Sequence, residues 1–235
     1  MNEIDTSNTR TADRVIVNQN YLIRQVYTWM GIGLTITAFM ALTTLSSPAI
    51  LNAVLGNRLV FYGLMIGELA LVFILSGAIN KLSAAAATLI FTTYSALNGI
   101  TLSVVAMAYT SSSITSTFVT TAGMFGAMSF YGYLTKRDLT SWGSFLFMGL
   151  IGVVIASLVN IFLRSEAIYW VVTYAGVIVF VGLTAYDAQQ IKAMALQGFG
   201  DEESERKGAV IGALRLYLDF VNLFLMLLNI FGRRR

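Results

Sequence analysis

LSAAAATLIFTTYSALNGITLSVVAMAYTSSSITSTFVTTAGMFGAMSFYGYLT, residues 82–135, is the stretch whose reading decides the fold. It contains no charged side chain from Leu82 to Thr135. As a single helix it would extend about 80 Å at 1.5 Å per residue, against a bilayer core of about 30 Å. It must therefore cross and come back, and Tyr109-Thr-Ser-Ser-Ser113 is the polar break where it turns. Working outward from this pair, apolar segments of about 20 residues fall near 26–46, 59–79, 83–106, 113–134, 141–163, 167–190 and 208–232. Residues 1–20 read as a polar N-terminal tail, and residues 21–235 as one membrane domain. No apolar core directly follows a basic start, so the first segment is expected to be an uncleaved anchor.

Composition agrees. The 235 residues are 57% hydrophobic and 11% charged, where a soluble domain is about a quarter charged. The chain has no cysteine and no histidine. That excludes disulfides and thiolate metal sites, and removes the usual pH switch and the commonest metal ligand. Proton sensing near neutrality then falls to carboxylates, and any bound metal must be a hard, oxygen-loving cation such as calcium. No basic patch is interleaved with soluble structure, so nucleic acid is not an expected partner. No cofactor is expected, beyond Ca2+ as a permeant ion. The lipid bilayer is the expected surrounding, and the oligomeric state is not legible.

Orientation follows from the loop cations. With the N-terminus inside, the inner side holds Arg10, Arg14, Arg24, Lys81, Lys136, Arg137, Lys192, Arg206 and Lys207, and the outer side holds Arg58, Arg164 and the tail Arg233-Arg234-Arg235. This excess predicts a cytoplasmic N-terminus. The basic tail runs against the trend. It lies outside if the seventh segment crosses fully, which its length favours, and inside if that segment re-enters.

Two aspartates stand where a bilayer disfavours them. Asp187 closes an uncharged run that begins at Ala167, and Asp219 lies inside the last segment. A carboxylate at the centre of a membrane helix costs at least ~2.5–3.5 kcal/mol, so such residues usually face a bundle interior or wet cavity and act there. The proposed topology brings both toward the cytoplasmic face, on either side of a polar loop, Lys192 to Lys207. Two carboxyls in a poorly hydrated site do not both ionise cheaply, and a proton shared between them can act as a latch: bonded and closed with the proton, repelled and open without it. They are also the candidate oxygen ligands for a cation. The plainer alternative has Asp187 at the membrane interface and Asp219 paired with Arg215, four residues earlier on the same helix face. Arg215 can instead reach to the surface.

Glu68 sits mid-segment. It either lines an ion path, together with Asn98 and Asn160, or is hydrogen-bonded to a neighbouring helix. Asn98, Asn160 and Asn222 need partners, by default on other helices. Gly208 and Gly212, and Ala122 and Gly126, have the four-residue spacing of close helix packing. Asp201-Glu-Glu-Ser-Glu205 lacks the alternating ligands and central glycine of a calcium loop and reads as a solvated loop.

Several stretches resemble the Bax inhibitor-1 family: Val177-Ile-Val-Phe-Val-Gly-Leu-Thr-Ala-Tyr-Asp187-Ala-Gln-Gln-Ile-Lys192, Leu216-Tyr-Leu-Asp219-Phe-Val-Asn-Leu-Phe-Leu225, Ser95-Ala-Leu-Asn-Gly-Ile-Thr-Leu-Ser103 and the segment between Lys136-Arg-Asp-Leu139 and Val159-Asn-Ile-Phe162. The likeness covers nearly everything after residue 20 and is nearest to inner-membrane members of Gram-negative bacteria. It implies an all-α membrane protein with seven transmembrane helices, six of them surrounding a central C-terminal helix. It also implies a pH-sensitive calcium leak in which Asp187 and Asp219 form a hydrogen-bonded pair at the cytoplasmic side. Eukaryotic relatives suppress cell death and lower stored calcium, and one bacterial branch modulates a membrane protease. Some relatives latch the pair with an arginine near the end of the second helix. Here Ala78-Ile-Asn-Lys81 occupies that stretch, so Lys81 is the nearest candidate, and Arg215 is a cation the family is not expected to have.

The expected function is a proton-regulated calcium or other cation leak channel of the bacterial inner membrane. The alternative is a non-conducting regulator that binds a membrane protease or another integral partner. An enzyme is not expected: Tyr186-Asp187 resembles one motif of intramembrane aspartyl proteases, but Leu216-Tyr-Leu-Asp219 lacks their Gly-x-Gly-Asp.

Overall fold

A computed structural model describes the backbone of residues 3–235 and the side chains of residues 20–235. Helices follow one another as α1 (Glu3–Ser46), α2 (Pro48–Gly56), α3 (Arg58–Gly77), α4 (Ala84–Met107), α5 (Ser111–Leu134), α6 (Thr140–Leu163), α7 (Glu166–Gln197) and α8 (Glu202–Phe231), with a 3-10 turn at Ile79–Lys81. Seven of these have 20 residues or more, matching the seven apolar segments. Six are long and apolar enough to cross a membrane, counting α1 from Asn20. The serine- and threonine-rich α5 falls below that apolarity. Exposed faces carry large apolar side chains, among them Phe162 at 86% and Leu59 at 82% exposure. Such faces suit lipid and would be a liability in water.

Boundaries differ from the sequence reading where helix signals were overlooked. The polar stretch before residue 20 belongs to α1, since no proline or glycine interrupts residues 3–30; its side chains lie outside the described residues. The link between the first two segments contains α2, begun by Ser47, whose hydroxyl accepts from the Ile50 N–H, and by Pro48 at the first position. The supposed polar loop from Lys192 to Lys207 is mostly helix. Only residues 198–201 lie outside α7 and α8. Gly198 takes the left-handed conformation (φ 71°) just past α7. Asp201 caps α8 by accepting from the Ser204 N–H at 2.8 Å and hydroxyl at 2.9 Å, and Glu202, Glu203 and Glu205 suit the positive end of the helix dipole. The Asp201–Glu205 run is therefore a helix start.

The chain divides into two compact units: residues 1–105 with 191–214, and residues 106–190 with 215–235. In the first, Val26, Leu75, Phe91, Ala209 and Ala213 are fully buried. The Gly208/Gly212 spacing serves packing as read: a Cβ at Gly208 would meet the Phe199 ring, and one at Gly212 would sit 3.0 Å from Val26. In the second, Phe220 of α8 packs edge-on against Phe118 and Phe125 of α5, with centroids 5.4 and 5.5 Å away. The inward face of α5 is Thr117, Thr121, Phe125, Ser129 and Gly132. Ala122 and Gly126 lie on its exposed face and nothing stands within 4 Å of a Cβ at Gly126, which corrects the packing role read from their spacing. They are one position off the buried stripe.

α8 runs unbroken for 30 residues. Beyond it the basic tail lies against the α4–α5 turn. Thr110 N–H donates to the Arg233 carbonyl at 3.0 Å, Arg235 N–H to the Ala108 carbonyl at 3.0 Å, and Arg233 N–H to Ser113 Oγ at 2.9 Å. The last apolar segment is thus one continuous helix with its tail pinned to that turn.

Candidate functional site

The site is built on three helices of the second unit. On α8, Arg215, Asp219 and Asn222 recur at the four- and three-residue steps that keep side chains on one face. α7 contributes Tyr186 and Asp187, and α6 contributes Gly143, Ser144 and Phe147. All of them line one cavity of about 530 Å³. The α6–α7 approach depends on Gly143, where a Cβ would overlap the Tyr186 ring.

Asp219 is 4% exposed, and Asp187 is half-buried. Their carboxyls lie within hydrogen-bond reach of each other. A bond between two carboxyl groups requires a proton between them. Asp219 Oδ2 is buried without a hydrogen-bond partner among the described residues. The Arg215 charge is felt by both acids. It does so at longer range, since among the described residues the ion pair closed within 4.0 Å is Arg206–Glu202. The intrahelical Arg215–Asp219 pair is thus not formed, and Arg215 itself is exposed.

Oxygen donors for a cation are the two carboxyls, the Ser144 hydroxyl and the carboxamide oxygen of Asn222, whose Nδ2 is committed to the Leu218 carbonyl at 2.8 Å. Calcium takes six to eight oxygens. No group of three or more acidic, histidine or cysteine side chains assembles among the described residues. The donor set is too small for a closed cage, and a hard cation held here would need water to complete its shell.

The other candidates fall elsewhere. Glu68 of α3 accepts from Thr101 Oγ1 at 2.9 Å and from Asn98 Nδ2 at 3.2 Å, both on α4. That is the hydrogen-bonded arrangement offered as the alternative to an ion path. Asn160 lies in the last turn of α6, its carboxamide oxygen accepting from the Ser165 N–H at 2.8 Å. It belongs to the second unit and Glu68 and Asn98 to the first. Of the three asparagines, then, only Asn98 bonds across helices in these contacts. Lys81 closes the 3-10 turn, also in the first unit.

Sequence reasoning overlooked Gln189. Its side chain grips the α5–α6 turn from both sides, accepting from the Leu139 N–H at 2.8 Å and donating to the Arg137 carbonyl at 2.8 Å. It ties that turn to the helix carrying Asp187. Within the turn, Asp138 accepts from the Thr140 N–H at 2.8 Å, and the Thr140 hydroxyl together with that N–H holds its carboxyl below the usual carboxylate range. The sequence signal for Gln189 was a polar residue three positions after Tyr186, on the same face.

A family profile described as "Inhibitor of apoptosis-promoting Bax1" matches residues 19–235. The chain belongs to the Bax inhibitor-1 family. Inner membrane protein YbhL of Escherichia coli (strain K12) is 58% identical over 218 residues, covering 92% of this chain and 93% of YbhL. A protein of Borreliella burgdorferi is 46% identical, covering 94% and 95% of the two chains. A membrane protein of Streptococcus pyogenes, M6_Spy0327, is 40% identical, covering 94% and 98%. With its apolar helices, this Bax inhibitor-1 family member is a multi-pass inner-membrane protein.

Proposed function

We propose that the protein is a proton-regulated cation leak of the inner membrane, with calcium as its permeant ion and Asp187 and Asp219 as its gate. The observation that carries this reading is the pair of carboxyls meeting in a cavity from which Asp219 is almost wholly withdrawn from solvent. With one proton between them the two side chains hold α7 and α8 together. When both are charged they repel, and Arg215 and an entering cation are the available counter-charges. Oxygen donors too few for a cage favour passage over storage.

The reading includes a topology. All seven long helices cross, α5 among them, with the N-terminus cytoplasmic and α8 enclosed by the others. Its support is that 61% of the apolar window of α8 is buried, against 33% at most for the other five apolar helices. The excess of lysine and arginine in alternate loops supports the orientation.

The test is calcium entry into liposomes holding only the purified protein and an internal dye, across a pH series. Flux is expected to rise with pH, and Asp187→Asn and Asp219→Asn to flatten that dependence. An unchanged profile in both variants would remove the gate. No flux at any pH would remove the channel and leave the non-conducting regulator of a membrane partner.

A further inference from the structure

The first unit holds a cavity larger than that of the carboxyl pair, about 790 Å³, formed by α1, α4 and the start of α8. Its composition is graded. At one end stand Arg24, near the start of the apolar span of α1, and Arg206, in the second turn of α8. Further along, Trp29 and Ile32 of α1 face Leu89 and Thr92 of α4. The groove exists because α4 opens on a run of alanines, Ala84 to Ala87, with no bulk to fill it. Both arginines are exposed. Arg206 is paired with Glu202, and Glu203 is engaged by the Ala84 N–H at 3.2 Å, so Arg24 supplies the larger share of uncompensated positive charge.

We infer that this groove is a binding site for an anionic phospholipid: the phosphate lies between Arg24 and Arg206, and an acyl chain runs inward beside Trp29, Ile32 and Leu89. The match is one of charge and polarity along one axis. A headgroup-level guanidinium pair attracts acidic lipid, and the tryptophan sits where amphipathic rings collect, at the boundary between headgroups and chains. A soluble anion would use the arginines and leave the apolar end without purpose. The leaflet is the one at the N-terminal end of the α1 span.

Trp29 makes the proposal measurable. The chain has three tryptophans, and W142F with W170F leaves Trp29 as the sole emitter. In vesicles of phosphatidylcholine, brominated phosphatidylglycerol is expected to quench Trp29 at far lower mole fraction than brominated phosphatidylcholine. The preference should be about five-fold if one arginine is effective and about thirty-fold if both are. R24Q/R206Q should reduce it to near unity. T88F, which fills the groove and keeps both arginines, should lower quenching by either lipid and guards against a folding defect in the double variant. Equal quenching by the two lipids, or a preference that survives in R24Q/R206Q, would overturn the site. Displacement by glycerol phosphate would make it a soluble-anion site and overturn the lipid assignment.

Discussion

Gly132→Ala tests the link between packing and the carboxyl pair. On α5, a Cβ at position 132 would overlap the carbonyl oxygen of Ala185 and lie 2.8 and 2.9 Å from its carbonyl carbon and Cα. Real Cβ atoms essentially never come within 3.0 Å of a neighbour, and these neighbours are backbone, which has no rotamer to escape into. The α5 and α7 backbones must therefore part. Overpacking of this kind costs about 1–3 kcal/mol, and the clash with fixed backbone puts the upper half of that range in force. The helix-propensity gain of alanine over glycine returns about 0.5–1 kcal/mol, so a net loss of about 1–2.5 kcal/mol is expected. Gly126→Ala is the control: same helix, same substitution, and nothing within 4 Å of the new Cβ. It should stabilise by about 0.5–1 kcal/mol. Because Ala185 lies two residues before Asp187, separating α5 from α7 also displaces one member of the pair. The assay is reversible unfolding in mixed micelles, followed by the liposome calcium measurement. G132A should lose stability and alter the pH profile of flux, and G126A should do neither. Equal stability of the two variants would show that the close approach of α5 and α7 is not what positions Asp187.

Further expectations concern single side chains. Phe220→Ala, which removes a ring 4% exposed between Phe118 and Phe125, should cost about 3–5 kcal/mol in the same unfolding assay, and a loss below about 1 kcal/mol would contradict the packing. Gln189→Ala should free the α5–α6 turn at about 0.5–1.5 kcal/mol for each of its two hydrogen bonds, read as faster hydrogen exchange at the Leu139 amide. The Asp201 cap has a defined pH sign. The Ser204 N–H and hydroxyl hold its carboxyl below the usual carboxylate range, so the cap is present above the unfolded-state value and lost as pH falls through the lowered one. The Ser204 amide resonance should be constant at neutral pH and move only in acid, and Asp201→Ala should abolish that movement.

The number of the long helices was legible because apolar length against a fixed bilayer thickness is a one-dimensional property. The two aspartates stood out for the same reason: a charge inside an apolar run is conspicuous without any coordinates. What failed was short or polar helix. α2 and the start of α8 depend on caps at Ser47 and Asp201 that compete with a loop reading of the same polar residues. The small-residue pairs divided. Gly208 and Gly212 fell on a buried stripe and Ala122 and Gly126 fell beside one, and spacing is identical in the two cases.

The sequence by itself determined a multi-pass helical protein with two misplaced carboxylates, since hydropathy and charge are carried residue by residue. Only the tertiary structure decided that those carboxyls meet each other, that Arg215 acts on both without closing an ion pair, that Glu68 is held by Asn98 and Thr101, and that Gln189 grips a turn. Each of these is a distance between side chains remote in the chain or a choice among rotamers on one helix face, and the rotation of each helix about its own axis, which fixes those distances, is set by how its neighbours pack.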